Sequence, residues 1–265
     1  MATLADMTQI HLRYYGELAA DSAGTTDERS PLVLLHGLGF DRRQWGPLLQ
    51  ELAVLDPGRR TVAFDLPGHL DSPGRSSYDL SDVADVLHQA VVEAGLASPL
   101  LVGHSIGGVL ATIYAAKYRT SGVVNIDQPL LVGPFKDVLA KLEPTLRSPA
   151  YGEVWETMLA GMHIDQLPQE AQTLVHASTR PSQEILLGYW REVMETPADV
   201  LRAAREADLQ AIDVPYDYVT SDEPSPGYRQ WLETHRPNTR ITVLSGSGHF
   251  PHLAHPGELA KLLAG

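Results

Sequence analysis

Three short, continuously apolar runs limit the architecture open to this chain. Pro31-Leu-Val-Leu-Leu35, Thr61-Val-Ala-Phe64 and Leu100-Leu-Val102 each stop at a glycine or a polar residue. A strand that is apolar at successive positions must be covered on both faces, the condition of a central strand in a parallel sheet. Helical patterns separate these runs. Ser81 can cap a helix whose Val83, Val86, Leu87, Ala90 and Val91 recur at helical spacing. Residues 106 to 118 form a second helix, and Gly122-Val-Val-Asn-Ile126 returns as a strand that stops at Asp127. Such alternation predicts an α/β fold with a mostly parallel central sheet flanked by helices.

The flanks complete the pattern. Met7 to Tyr15 alternates polar and apolar residues as an edge strand does, and a polar loop is expected from Asp21 to Ser30. From Pro129 to Ala211 no strand pattern exists. Four or five helical stretches are punctuated there by prolines at 134, 144, 149, 168, 181 and 197. Residues 129–211 are therefore expected to be a helical insert over the sheet, with 1–128 and 212–265 as the core domain. Alternation resumes with strands Val214 to Ser221 and Arg240 to Leu244, a helix near Tyr228 to Glu233, and a closing helix Glu258 to Leu263. Asp217 is the misfit, a charge in the middle of an expected strand. With 265 residues, 43% of them hydrophobic, the chain is large enough for one core plus an insert.

The carboxyl ends of parallel strands are where such folds place their chemistry. Gly103-His-Ser105-Ile-Gly107 stands between a buried strand and a helix. A sharp turn there forces the serine into a strained backbone conformation and requires glycines on either side. It presents the Ser105 hydroxyl beside the free N–H groups of a helix start, which favour a developing negative charge. An attacking serine needs a base, and Gly246-Ser-Gly-His249 follows the last strand, so His249 is the candidate. Gly37-Leu38-Gly39 follows another buried strand, making the backbone N–H groups of Leu38 and Ile106 the candidate oxyanion donors. His249, His252 and His255 are evenly spaced, yet no neighbouring strand offers a fourth ligand, so no metal is expected.

His36-Gly37, Phe64-Asp-Leu-Pro-Gly-His69, Gly103-His-Ser-Ile-Gly-Gly108 and Gly248-His-Phe-Pro-His252, in this order, resemble the α/β-hydrolase superfamily over nearly the whole chain. The resemblance implies that the insert is a cap or lid after the sixth strand, and that Asp65 and His69 brace loops. It also implies a carboxylate that orients His249. In most relatives this acid follows the strand after the lid, where Glu223 precedes Pro224; in others it follows the strand before the lid, where Asp127 stands. Glu223 is the first choice, Asp127 the second and Asp222 the third. A serine rather than an aspartate at the elbow favours attack on an acyl carbonyl. The expected activity is hydrolysis of an ester, lactone or thioester of a small hydrophobic substrate, with no cofactor. Acyl transfer, cyclisation, carbon–carbon bond hydrolysis and a non-catalytic ligand receptor remain alternatives. In the insert, Trp155, Met158, Met162, Tyr189 and Trp190 either line an apolar pocket or hold the helices together.

Charge and cysteine usage narrow the partners. Twenty Lys+Arg against thirty-three Asp+Glu give a formal charge of −13, which repels nucleic-acid phosphates and anionic membranes. The absence of cysteine rules out disulfides and thiolate chemistry. No basic segment leads into an apolar stretch in the first thirty residues, so a cytoplasmic protein, monomeric or homodimeric, is expected.

Overall fold

The computed structural model describes residues 11–25, 28–178 and 180–265. Eight strands form one sheet: β1 (His11–Tyr15), β2 (Leu18–Ala23), β3 (Leu32–Leu35), β4 (Thr61–Phe64), β5 (Leu100–His104), β6 (Gly122–Ile126), β7 (Tyr216–Thr220) and β8 (Arg240–Val243). Their spatial order is β1-β2-β4-β3-β5-β6-β7-β8. β1 and β2 pair antiparallel, as do β2 and β4, and every other pairing is parallel. The expected mostly parallel α/β sheet is what the chain forms. Residues 7–10 of the expected first strand lie outside the described residues, as do 26 and 27 of the expected loop.

The apolar runs divide between the two faces as a period of two demands. Val33 and Leu35 of β3 join a cluster that includes α2 (Leu80–Glu93) and α3 (Ile106–Lys117), through Val83, Leu87, Leu110 and Tyr114. Leu32 and Leu34 join the opposite cluster, with Leu48 and Leu52 of α1 (Gly46–Leu55) and Leu259 and Leu263 of the closing helix Pro256–Ala264. Both faces are therefore dry. β3 lies between β4 and β5, so the direction of winding reverses there and opens a crevice beyond the carboxyl ends of β3 and β5.

Several expectations are corrected. Asp21 to Ala23 belong to β2 rather than to a loop. Leu18-Ala-Ala-Asp-Ser-Ala has weak strand propensity, and pairing on both sides, with β1 and β4, makes it a strand. Helix α1 was not expected at all; its Leu48 and Leu52 bury one turn apart. α2 starts at Leu80 after Asp79, so Ser81 sits inside the helix and its hydroxyl receives Lys117 Nζ at 3.1 Å. Asp217 is also accounted for: it stands opposite Arg240 of the edge strand β8, whose Nε donates to it at 3.0 Å.

Between β6 and β7 the described residues contain helices and one 3₁₀ turn, Ile164–Gln166. The helices are α4 (Gly133–Leu146), α5 (Tyr151–Ala160), α6 (Gln169–His176), α7 (Gln183–Glu195) and α8 (Ala198–Ala211). Apart from Pro144, inside α4, the prolines stand at helix starts or in connections, where a missing N–H costs least. After β7 come α9 (Pro226–His235), β8, α10 (Pro251–Ala254) and α11 (Pro256–Ala264). No helix among the described residues is long and apolar enough to cross a membrane.

Candidate active site

Ser105 joins β5 to α3 with φ 53° and ψ −126°, a left-handed conformation that non-glycine residues seldom adopt. Its neighbours explain how the turn is tolerated. A Cβ at Gly103 would lie 2.0 Å from the carbonyl oxygen of Gly107, and one at Gly107 would lie 2.4 Å from that of Leu35. Both obstacles are backbone and cannot swing aside. Gly107→Ala is therefore expected to destabilise the fold by at least about 2 kcal/mol, read as a lower urea midpoint. Ser105 N donates to Ile126 O at 3.0 Å, tying the turn to the end of β6. Ile106 opens α3, so its N–H has no partner within the helix.

Asp127 follows β6 with φ 53°. Its Oδ1 accepts from Ser221 N at 2.9 Å and Thr220 Oγ1 at 3.1 Å, both at the end of β7. That leaves Oδ2, which meets His249 Nδ1 at 2.8 Å. Burial works to raise the Asp127 pKa, but the hydrogen bond and charge of His249, with the Ser221 and Thr220 donors, outweigh it. The carboxyl is held below its ordinary range and stays ionised. A carboxylate oxygen only accepts, so His249 Nδ1 carries a proton and Nε2 is the free, basic nitrogen.

The structure brings Asp127, the second-choice acid, to His249 and leaves the first choice apart from it. Glu223 has 73% of its side chain exposed and pairs with Arg229 at 2.7 Å, away from His249. Asp222 turns its carboxylate toward Ser221 Oγ at 3.5 Å. The chain leaves β7 outward toward α9, while the end of β7 presents backbone and hydroxyl donors to Asp127. The three spaced histidines also part company. His255 bonds Ser245 O at 2.9 Å, and His252 is buried between Trp45 and His104.

Leu38 lies in a loop braced by two histidines. His36 Nδ1 donates to Gly37 O at 2.8 Å and its Nε2 accepts from Leu66 N at 2.9 Å. His69 Nδ1 donates to Pro67 O at 3.1 Å and its Nε2 accepts from Gly39 N at 3.1 Å. Burial holds both imidazoles neutral, lowering His36 to about 4 and His69 to about 3. Asp65 braces the same region through Arg42, whose backbone N it receives at 3.0 Å and whose guanidinium it pairs. A Cβ on Gly37 would reach 3.1 Å from Ser105 Cβ, so glycine lets this loop close on the serine.

Leu38, Ser105, Ile106, Asp127 and His249 line one cavity of about 460 Å³. Trp155, Met158, Met162, Tyr189 and Trp190 line it too, so the apolar residues of the insert face the serine. Leu131, Val132, Pro134 and Phe135 also belong to its wall and were missed from the sequence, although an apolar run two residues after a candidate acid was a usable signal. No lining residue is a lysine or an arginine.

This combination has relatives. A pimeloyl-[acyl-carrier protein] methyl ester esterase of Neisseria meningitidis serogroup C is 27% identical over 89% of this chain and 93% of its own length. A 2-succinyl-6-hydroxy-2,4-cyclohexadiene-1-carboxylate synthase of Yersinia pseudotuberculosis is 28% identical over 86% of this chain and 84% of its own. Among solved structures, the enol-lactonase from Burkholderia xenovorans superposes with a TM-score of 0.75 at 16% identity, covering 96% of this chain and 98% of that one, a likeness of fold. The model of the Alpha/beta hydrolase family matches residues 32–262, so with the strained serine turn, the sheet order and the match over most of its length, the chain belongs to the alpha/beta hydrolase family.

Proposed function

We propose that the chain is a serine hydrolase that cleaves uncharged, hydrophobic carboxylic esters, with lactones and thioesters as chemically equivalent substrates. One observation carries the reading: Ser105 and the His249–Asp127 pair open onto a single cavity walled by apolar side chains. Ser105 Oγ bonds to the acyl carbon while its proton passes to His249 Nε2. The carbonyl oxygen becomes an oxyanion, which the N–H groups of Leu38 and Ile106 receive. Collapse breaks the bond to the leaving oxygen, which takes the proton from His249. Water then attacks the acyl-serine with His249 as base, releasing the acid and restoring Ser105. Residues 129–211 act as the cap that shapes the acyl site, through Trp155, Met158, Met162, Tyr189 and Trp190. That the curated relatives named above include a methyl ester esterase supports ester chemistry here.

The test is covalent. Incubation with a small fluorophosphonate is expected to add one adduct on Ser105, located by peptide mass spectrometry and missing in Ser105→Ala. A folded protein that takes no adduct on Ser105 overturns the reading in favour of a ligand receptor. Substrate charge gives a second prediction. A carboxylate in this cavity loses its hydration and gains no cation, so an adipate monoester should show kcat/KM lower by on the order of 10²-fold than a hexanoate ester of the same alcohol. Equal rates for the two would mean that the chain's ω-end does not enter this cavity.

A further inference from the structure

His249 is held by more than its ring. Its backbone N–H donates to Met162 O at 3.0 Å, in the turn between α5 and the 3₁₀ turn Ile164–Gln166. Its backbone carbonyl meets His104 Nε2 at 2.7 Å, from the end of β5. A carbonyl only accepts, so the His104 proton is on Nε2. Gly248 lets the insert sit directly on this loop: its φ is 49°, and a Cβ there would lie 2.5 Å from Met162 O and 2.8 Å from His163 O. His163 itself is left-handed, with φ 54°. His104 is fully buried, packed 4.4 Å from His252 and 5.4 Å from Phe250 by ring centroids, and a Cβ on Gly37 would come within 3.0 Å of its Nδ1. It therefore lies behind the reacting atoms, between the serine turn, the loop of Leu38 and the base.

We infer that His104 is a positioning residue that, together with the carbonyl of Met162, clamps the His249 peptide from both sides, so that seating of the insert on Gly248 and placement of the base are one event. The inference rests on His249 being the base of the proposed serine chemistry. Asp127 fixes the tilt of the imidazole about one hydrogen bond; the two peptide contacts fix where the ring is hung. Met162 both lines the acyl cavity and holds the base. A substrate that presses on this wall is thereby felt at His249.

The experiment compares His104→Gln, which retains a side-chain N–H donor, with His104→Leu, which does not. Turnover of a neutral aryl ester and the strongly downfield proton NMR signal of His249 Nδ1–H, identified by its absence in His249→Gln, are both read. His104→Leu is expected to lose about 10- to 100-fold in kcat with KM within twofold, and to broaden the signal. His104→Gln should restore kcat to within about threefold of the parent and keep the signal sharp. Gly248→Ala, acting from the insert side, should broaden the same signal, and it serves where His104→Leu does not fold. The inference is overturned if Leu and Gln lose activity alike, which means packing alone, or if the signal stays sharp in both His104→Leu and Gly248→Ala. Undiminished turnover in Ser105→Ala would sink the serine reading instead, while the NMR signal would still judge the clamp.

Discussion

Asp127→Asn is expected to lower kcat on a neutral ester by about 10⁴-fold, while Glu223→Gln leaves it within about twofold. The difference follows from what each carboxylate touches. Asp127 Oδ2 receives His249 Nδ1–H at 2.8 Å, and its other oxygen is saturated by the Ser221 and Thr220 donors. An amide turned to those donors would offer His249 its NH₂ group, forcing the imidazole into the other tautomer with its proton on Nε2, where the Ser105 proton must go. Among the described residues Glu223 pairs with Arg229 on the surface, an arrangement worth less than about 1 kcal/mol and without contact to His249. Steady-state kinetics on the two variants decides the matter. A large loss at Glu223 with little at Asp127 would place the acid after β7 and contradict the geometry described here.

The second large effect is on stability in mild acid. His36, His69, His104 and His252 are all buried, and burial lowers each below the ordinary histidine value: His36 to about 4, His69 and His252 to about 3, and His104 well below 6.5. The unfolded chain takes up protons near pH 6.5 and the folded chain does not. The stabilisation from neutral burial is therefore complete above pH 6.5 and is lost as pH falls below it. At pH 5 His36, His69 and His252 each cost about 2 kcal/mol by linkage and His104 acts in the same direction, a sum comparable with the whole stability of a typical domain, about 5–15 kcal/mol. Burial raises Asp65 to about 6, so this carboxyl releases a proton on unfolding and offsets one histidine; the urea midpoint should still fall between pH 6.5 and 5, with up to about three net protons taken up on unfolding. His36→Gln should remove about one proton from that slope. An unfolding free energy that is flat over this window would show that these imidazoles are not held neutral.

This acid sensitivity reaches the site as well as the fold. His36 Nε2 and His69 Nε2 accept hydrogen bonds from Leu66 N and Gly39 N, and protonation would replace both acceptors by donors. The loop around Leu38 would then lose its two ties to the segment 66–69. In the folded chain this loosening is expected only as pH falls to about 4, where His36 takes up its proton, so activity that survives partial unfolding should fail there.

Much of this was legible in the residues themselves. Runs such as Leu32–Leu35 have only one comfortable solution, a strand buried on both faces, and Gly103-His-Ser-Ile-Gly107 permits a turn whose two glycines meet backbone at 2.0 and 2.4 Å. Those constraints act within a few neighbouring residues, so the local pattern contains them. β2 was hidden because Leu18-Ala-Ala-Asp-Ser-Ala is made a strand by its partners β1 and β4 rather than by its own propensity. The acid was undecidable for a similar reason. β6 and β7 are neighbours whose ends open on the same region, so Asp127 and Glu223 are both plausible by position. The three-dimensional path of the chain turns Glu223 out to Arg229, gives Asp127 the donors of Thr220 and Ser221, and brings Asp127 alone of the two to His249. Likewise, nothing in the order of residues announces that Met162 and His104 meet at the peptide of His249, a junction of three distant segments. Short-range sterics and burial suffice for the sheet, the strained serine turn and the glycine-rich loop of His249, so the local residue pattern contains them. Which carboxylate meets His249, which walls surround Ser105 and which peptide contacts hold the loop depend on tertiary packing, because hydrogen bonds between segments far apart in the chain exist only once those segments are brought together.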